Sequence, residues 1–289
     1  MARLQDFPTV TPTSSDNILI VQSTGQGLAS VGSTLGAKLD KNDPTGTGKL
    51  SINRASGSTV GNYSVAIGYG NTASGNVSHA ENRATTASGD YSHAEGYSTT
   101  ASGTGCHSEG YTTTASGSAS HSEGRNTTAS GDYSHAEGFG TIANHKSQHV
   151  FGEYNTADAS TAAATVRGNY VEIVGKGSSD ANRSNARTLD WNGNETIAGT
   201  LTQSSDAKLK DIINEELPDV SAIKAVKFKW KENANRDESE HIGYIAQDVE
   251  KVLPYLVKED AEGNKVLDYI AFLVAKIDSL EKRIAELEG

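Results

Sequence analysis

Gly89-Asp90-Tyr91-Ser92-His93-Ala94-Glu95-Gly96-Tyr97-Ser98-Thr99-Thr100-Ala101-Ser102 is the clearest copy of a 14-residue unit that runs through the middle of this chain, its register held by Gly61, Gly75, Gly89, Gly103, Gly117 and Gly131. A short fixed period marks a stacked solenoid, in which each unit contacts only its neighbours. Fourteen residues are too few for a helix pair or a propeller blade and enough for two short strands and two turns. Successive side chains of a strand point to opposite faces. His93 and Glu95 therefore share one face, and Ser92 and Ala94 the other. The reading is one β-coil per repeat, about six coils stacking to a rod near 30 Å tall at the usual strand spacing.

The fill of such a rod is meagre. The copies offer Ala, Thr, Ser and Gly where a self-sufficient solenoid offers Leu, Ile and Val, and the chain is only 35% hydrophobic with 6% aromatics. Little apolar burial is available to offset the entropy of ordering the backbone, so oligomerisation is expected. A length of 289 residues allows one or two domains, but 30 Gly and five Phe speak against one large core. The net charge of −11 disfavours nucleic acid and anionic membranes. The repeats carry Arg83 and Arg125 and no Lys, so no basic groove runs along them. No apolar run approaches the roughly 18 residues of a membrane helix, and MARLQDFPTV lacks a basic stretch followed by an apolar one. The expectation is synthesis in the cytoplasm and work on a particle or after lysis. Cys106 falls where other copies have Ser92 or Ser134, which reads as a small strand residue rather than a nucleophile or disulfide partner.

Four zones follow from changes in character. Residues 1–60, Pro/Thr/Ser-rich at their start, read as an attachment or irregular β segment, or alternatively a truncated remnant, with a strand at Ile18 to Gln22 and turns around Asn42 to Gly48. Residues 61–158 hold the repeats and end in a degenerate copy where Val150, Phe151 and Tyr154 form a cap. Residues 159–203 are a β connector with strand-like runs at Asn169 to Val174 and Ala186 to Trp191. Residues 204–289 hold most of the lysines and close on Ile270, Leu273, Ile277, Leu280, Ile284 and Leu287, spaced 3, 4, 3, 4, 3 as an a/d seam. About three heptads make a helix that is marginal alone and needs partners. Ile at a with Leu at d favours two strands when taken by itself.

Two resemblances rest on these residues. The repeats resemble the head repeats of trimeric autotransporter adhesins, the YadA-like left-handed parallel β-roll, whose SVAIG motif stands at Ser64-Val65-Ala66-Ile67-Gly68. Later copies place His and Glu where this one has Val and Ile. Residues Ser205-Asp206-Ala207-Lys208-Leu209-Lys210, with His241-Ile242-Gly243-Tyr244-Ile245-Ala246-Gln247-Asp248-Val249 and the closing heptads, resemble the intramolecular chaperone domain of phage tail spikes and fibres, the self-cleaving endosialidase type. That family opens the domain with Ser-Asp-x-Arg-x-Lys; Lys208 replaces the Arg and loses its bidentate fork. Together the resemblances imply a mainly β fold: a homotrimeric left-handed parallel β-roll solenoid, then a small α+β chaperone domain ending in a coiled-coil helix. Three strands are thus implied where the seam alone favours two.

The chaperone resemblance also implies a single-turnover cut between Ser205 and Asp206, with Ser205 as nucleophile, Lys210 as base, and Asp206 and His241 assisting. A Ser hydroxyl needs a neighbouring base, and Lys serves only when burial or nearby cations favour its neutral form. Five residues of separation put the pair on different faces of a strand and far apart on a helix, so a turn or another subunit must join them. The alternative for Ser205-Asp206 is a helix N-cap ahead of a lysine-bearing turn. The His and Glu columns invite a transition metal. The favoured reading is instead a ladder of His–Glu hydrogen bonds and ion pairs standing in for a Val/Ile core, and no metal or cofactor is expected.

The function expected from all this is a structural or receptor-binding tail fibre of a phage or phage-like particle. It would be located on the virion and partnered by itself, by other tail proteins through its N-terminus and by a host surface receptor. Neither nucleic acid nor membrane insertion is expected. A bacterial trimeric surface adhesin is the alternative. A glycan-degrading tailspike fits poorly, because the chain has no room for a long catalytic β-helix. Tyr97, Tyr111, Arg125 and Phe139 share one repeat position as a candidate contact stripe.

Overall fold

The computed structural model describes residues 60–213, 216–234 and 239–289, with the backbone of 37–39 and 50–54. The expected strand at Ile18 to Gln22 and the turns at Asn42 to Gly48 lie outside the described residues. The chain divides between Leu201 and Thr202 into two units.

The first unit is a β-solenoid of about six turns. Each turn supplies two two-residue strands, as in His93–Ala94 and Thr100–Ala101. These pair in parallel, one rung to the next, with a register of one repeat: His79, His93 and His107 align on one sheet and Thr86, Thr100 and Thr114 on the other. At one end Leu50–Arg54 runs parallel to Val65–Ala73, and Ala37–Leu39 pairs with it antiparallel. At the other, Tyr170–Lys176 continues the stack in parallel with His149–Glu153, so the sheet runs past residue 158. Asn185–Asp190 and Glu195–Ile197 then follow antiparallel.

Ser and Ala point inward and His and Glu outward, as alternation requires. Ala66, Ala80, Ala94 and Ala136 line one wall and Ala73, Ala87, Ala101 and Ala129 the other, all with no exposure. The interior is half polar, and its hydroxyls are mostly satisfied locally. Ser92 donates to the Gly89 carbonyl at 2.6 Å, and Ser64, Ser78, Ser120 and Ser134 do the same in their own turns. Thr113 and Thr127 donate to the carbonyls of Glu109 and Glu123, and each also bonds the serine that replaces Ala in its rung, Ser108 or Ser122, at 2.8 Å. Cys106 follows the column: its buried thiol donates to the Ala115 carbonyl at 3.2 Å, and burial pushes its pKa up to about 11.

The His–Glu ladder therefore does not stand in for a core, and that expectation is corrected. Val65 and Ile67 align with His79 and Glu81, on the outer side of a coil whose interior admits little beyond a methyl or hydroxyl.

The register glycines are there because of close approach. A Cβ on Gly103 would lie 2.0 Å from the Gly117 carbonyl oxygen, and the same clash recurs rung after rung. The next place in this column is His145, where the run of glycines ends. Its ring, 3% exposed, lies where a side chain on Gly168 would collide with it. Asp158 beside it accepts the N–H groups of Asn169 and Tyr170 at 2.7 and 3.0 Å and the Asn169 side chain at 2.8 Å. The expected cap residues contribute too: Val150 is fully buried, and Tyr154 packs on Phe139 with centroids 4.7 Å apart.

The second unit is small and mixed. Val226–Phe228 pairs antiparallel with His241–Gly243, and Val257–Glu259 with Lys265–Leu267. A short helix, α1 (Ala246–Glu250), and a long one, α2 (Tyr269–Glu288), complete it. Asp268 caps α2 by accepting the Ala271 N–H at 3.0 Å. Val220, Ile223, Val249, Leu253, Phe272 and Ala275 form one buried cluster. Among the described residues no helix is long and apolar enough to cross a membrane.

Candidate functional site

The sequence Ser-Asp-Ala-Lys-Leu-Lys folds as one tight turn. Ala207–Leu209 is a single 3-10 turn, and Asp206 caps it by accepting the Lys208 N–H at 2.9 Å. The Lys210 N–H closes it on the Ala207 carbonyl at 3.2 Å. Because the turn is tight, it brings the side chains on either side of it together: Lys210 Nζ donates to Ser205 Oγ at 2.7 Å. The capping arrangement and the Ser–Lys pair thus coexist, and no second subunit is needed to form the contact. Ser205, Asp206 and Lys210 are all exposed. One chain supplies the Ser–Lys distance without the burial that favours a neutral lysine.

His241 stands on the hairpin strand, bonded to Ser239 Oγ at 3.1 Å and against the rings of Phe228 and Trp230. These partners belong to the hairpin and not to the Ser205 turn.

α2 has two working faces. Phe272, Ala275 and Ser279, spaced 3 and 4, are buried against the unit's own core. Two polar ties hold that face. Lys276 donates to the carbonyls of Val220 and Ile223 at 2.6 Å each, and Ser279 donates to Asp219 at 2.5 Å. The Ser279 hydroxyl and the N–H and hydroxyl of Ser221 hold the Asp219 carboxyl down to about 2. Burial, with Lys224 nearby, lowers the pKa of Lys276. The heptad residues Ile270, Leu273, Ile277, Leu280, Ile284 and Leu287 remain exposed along the helix, an apolar seam that the unit's described residues leave uncovered.

Residues 205–258 match the Peptidase S74 family, the chaperone of endosialidase. The match begins on Ser205 and takes in the Ser–Lys turn, both strands of the His241 hairpin and α1. No curated protein and no solved structure matches this chain.

On the solenoid, His79, His93, His107, His121, His135 and His149 form an unbroken column of stacked rings, centroids 4.7–5.1 Å apart. Each Glu reaches the His of the next rung: His93, His107 and His135 bond Glu81, Glu95 and Glu123 at 3.4, 3.3 and 3.1 Å. His121 and His149 come as near to Glu109 and Glu137, at 3.3 and 3.4 Å, without hydrogen-bond alignment. Burial lowers the pKa of His121, and the charges of His107 and His135 lower it further against the pull of Glu123 and Glu109. Burial raises Glu95 and Glu123, but the hydrogen bonds and charges of the neighbouring histidines outweigh it and leave both below the usual carboxylate value.

Trios such as His93, Glu95 and His107 bring their ligand atoms within 4.8 Å of one another. Parallel stacked rings direct their lone pairs side by side, so a trio grips one ion best with a ring turned out of the stack.

Proposed function

We propose that this chain is a homotrimeric tail-fibre or appendage protein of a phage or phage-like particle. The repeats form its shaft and display surface, and the C-terminal unit is its assembly clamp. The observation that carries the reading is the chaperone-of-endosialidase match on a unit whose last helix exposes a heptad seam. Three such seams bury one another in a coiled coil. The shaft, left-handed in the family it resembles, then zips from aligned ends. Host-receptor binding, contact with other tail proteins through the N-terminal segment and a location on the virion belong to the same proposal.

The clamp then cuts itself off. Ser205 Oγ attacks its own carbonyl while Lys210 takes the hydroxyl proton. The Ser205–Asp206 peptide bond breaks, and the Asp206 nitrogen leaves as an amine after receiving that proton from Lys210. Water hydrolyses the four-membered β-lactone so formed, leaving a carboxylate on Ser205 and restoring its hydroxyl. Trimer formation supplies the burial that the single chain lacks, which ties cleavage to assembly. The resemblance gives His241 and Asp206 assisting roles in the same step.

Mass spectrometry of the expressed chain tests this. The wild type is expected to lose the segment from Asp206 onward, and Ser205→Ala to stay full length. A wild-type chain that stays intact as a trimer sinks the cleavage and leaves the clamp standing. A monomer by light scattering sinks the clamp.

A further inference from the structure

The repeat position after the Gly96 turn forms a second column of the solenoid: Tyr69, Arg83, Tyr97, Tyr111, Arg125 and Phe139, joined rung to rung by parallel pairing. The Arg83 guanidinium lies between Tyr69 and Tyr97, 5.8 and 5.3 Å from their ring centres. Arg125 lies between Tyr111 and Phe139, at 5.2 and 5.3 Å. Tyr97 and Tyr111 stack on each other at 4.9 Å. Ring faces are thus used up within the column, and what it presents outward is hydroxyls, ring edges and guanidinium N–H groups. Tyr69 is 72% and Tyr111 46% exposed, and both Arg are exposed.

Charge makes this column unlike the rest of the shaft. Between residues 61 and 144 the two Arg are the only Lys or Arg, against seven acids. Every one of those acids has a partner: five pair with the His column, and Asp90 and Asp132 accept backbone N–H groups of Asn76 and Ser118. Among the described residues neither Arg has a carboxylate within ion-pair distance. A cation placed for stability alone would take one of the acids. These two are instead held rigidly by aromatic neighbours with their forks unoccupied, which removes part of the ordering cost of binding.

We propose that this column is a binding stripe for a sparsely carboxylated polysaccharide lying along the shaft. It names the ligand class of the receptor in the fibre reading above and rests on that reading. The two guanidinium groups are three rungs apart, about 14 Å at the strand spacing, and each matches a carboxylate bidentately. The hydroxyls of Tyr97 and Tyr111 between them meet the neutral sugars. A dense polyanion such as nucleic acid, with one charge per roughly 1.7 Å of duplex, instead faces a shaft that sets seven acids against two Arg between residues 61 and 144.

Calorimetric titration of the full chain with hyaluronate oligosaccharides, which carry a carboxylate on alternate sugars, tests the stripe against neutral dextran and oligothymidylate. Hyaluronate is expected to bind and the other two not to. Arg83→Gln and Arg125→Gln are each expected to weaken binding about tenfold, the scale of one charged hydrogen bond, and together to bring it to the dextran level with the far-UV melting curve unchanged. Arg167→Gln, outside the column, leaves binding intact. If the double Gln variant fails to fold, the double Lys variant, which keeps the charge and loses the fork, is expected to show the same weakening. Hyaluronate bound no better than dextran overturns the proposal, as does oligothymidylate bound through the same two Arg, or a folded double variant that binds like wild type. Light scattering on the same sample separates the two readings. A trimer that does not bind sinks the stripe alone, and a monomer sinks the fibre reading.

Discussion

The solenoid and the C-terminal unit solve the same problem in opposite ways. In the solenoid each rung repeats the last: a methyl wall, a serine closing its own turn, a glycine against the next carbonyl. Sliding two segments by one whole repeat restores nearly every contact, so register is weakly specified along its length. The C-terminal unit has one arrangement only. Phe272, Leu253 and Val249 occupy one cluster and Lys276 ties α2 at two carbonyls, and among its described residues only the heptad seam on α2 is periodic. A structure that can pair in many registers gains most from being attached to one that can pair in a single way.

The largest expected effect comes from turning each face of α2 polar or empty in turn. Leu273→Asp with Ile277→Asp, on the exposed seam, is expected to abolish the trimer in light scattering while the isolated fold of the unit survives. Phe272→Ala, on the buried face, is expected to cost about 3–5 kcal/mol and to unfold the unit itself, read by urea denaturation. If both variants behaved alike, the division of α2 into an inner and an outer face would be wrong.

The glycine columns sharpen the contrast at the next level. Gly103→Ala drives a Cβ into backbone that cannot give way and is expected to cost about 3 kcal/mol, the upper end for overpacking. Gly105→Ala meets nothing within 4 Å and bears only its left-handed backbone, φ 66°, for about 1 kcal/mol. Its counterparts Tyr91 and Ala119 already carry side chains at φ 60° and 50°. The two urea midpoints should differ clearly; equal losses would refute the close approach.

Acid should distinguish the units as well. His121 has a folded-state pKa below its unfolded value, so the folded chain binds fewer protons. Its contribution to stability is present above about pH 6.5 and is lost as pH falls from there. Glu95 and Glu123 are also held low, and their contribution fades further down, as pH falls through the carboxylate range. Both act in the same direction. The solenoid's urea midpoint is expected to fall between pH 7.5 and 5.5, with His121→Gln reducing the drop; a midpoint that rises in acid refutes it. The smallest effect is expected from Cys106→Ser, which restores the column's usual hydroxyl and should stay within about 1 kcal/mol of wild type in the same assay.

Much of the solenoid was legible because a period exposes both its geometry and its faces. The 14-residue spacing located the turns, and alternation at Ser92-His93-Ala94-Glu95 separated inside from outside. What alternation does not reveal is which face is the inner one when both are polar, and so the His–Glu side was assigned to filling. His145 was missed for a related reason: a residue that breaks a repeat reads as decay, although here it is the first side chain with room above its Cβ. On α2 the heptad stood out, and Phe272, Ala275 and Ser279 did not, because a second stripe on the same helix is masked by the first. The Ser205–Lys210 contact depended on a single 3-10 turn, a conformation that residue spacing on strands and helices does not anticipate.

His145 also bears on how such a shaft changes length over generations. Every unit between Gly75 and Gly131 meets copies of itself above and below, so a duplication or deletion of one whole repeat in the coding sequence leaves both ends with the neighbours they already had. The terminus travels intact with its histidine, its aspartate and the strand that covers them. Reach can thus be adjusted in steps of one rung, about 4.8 Å, without any new contact having to evolve.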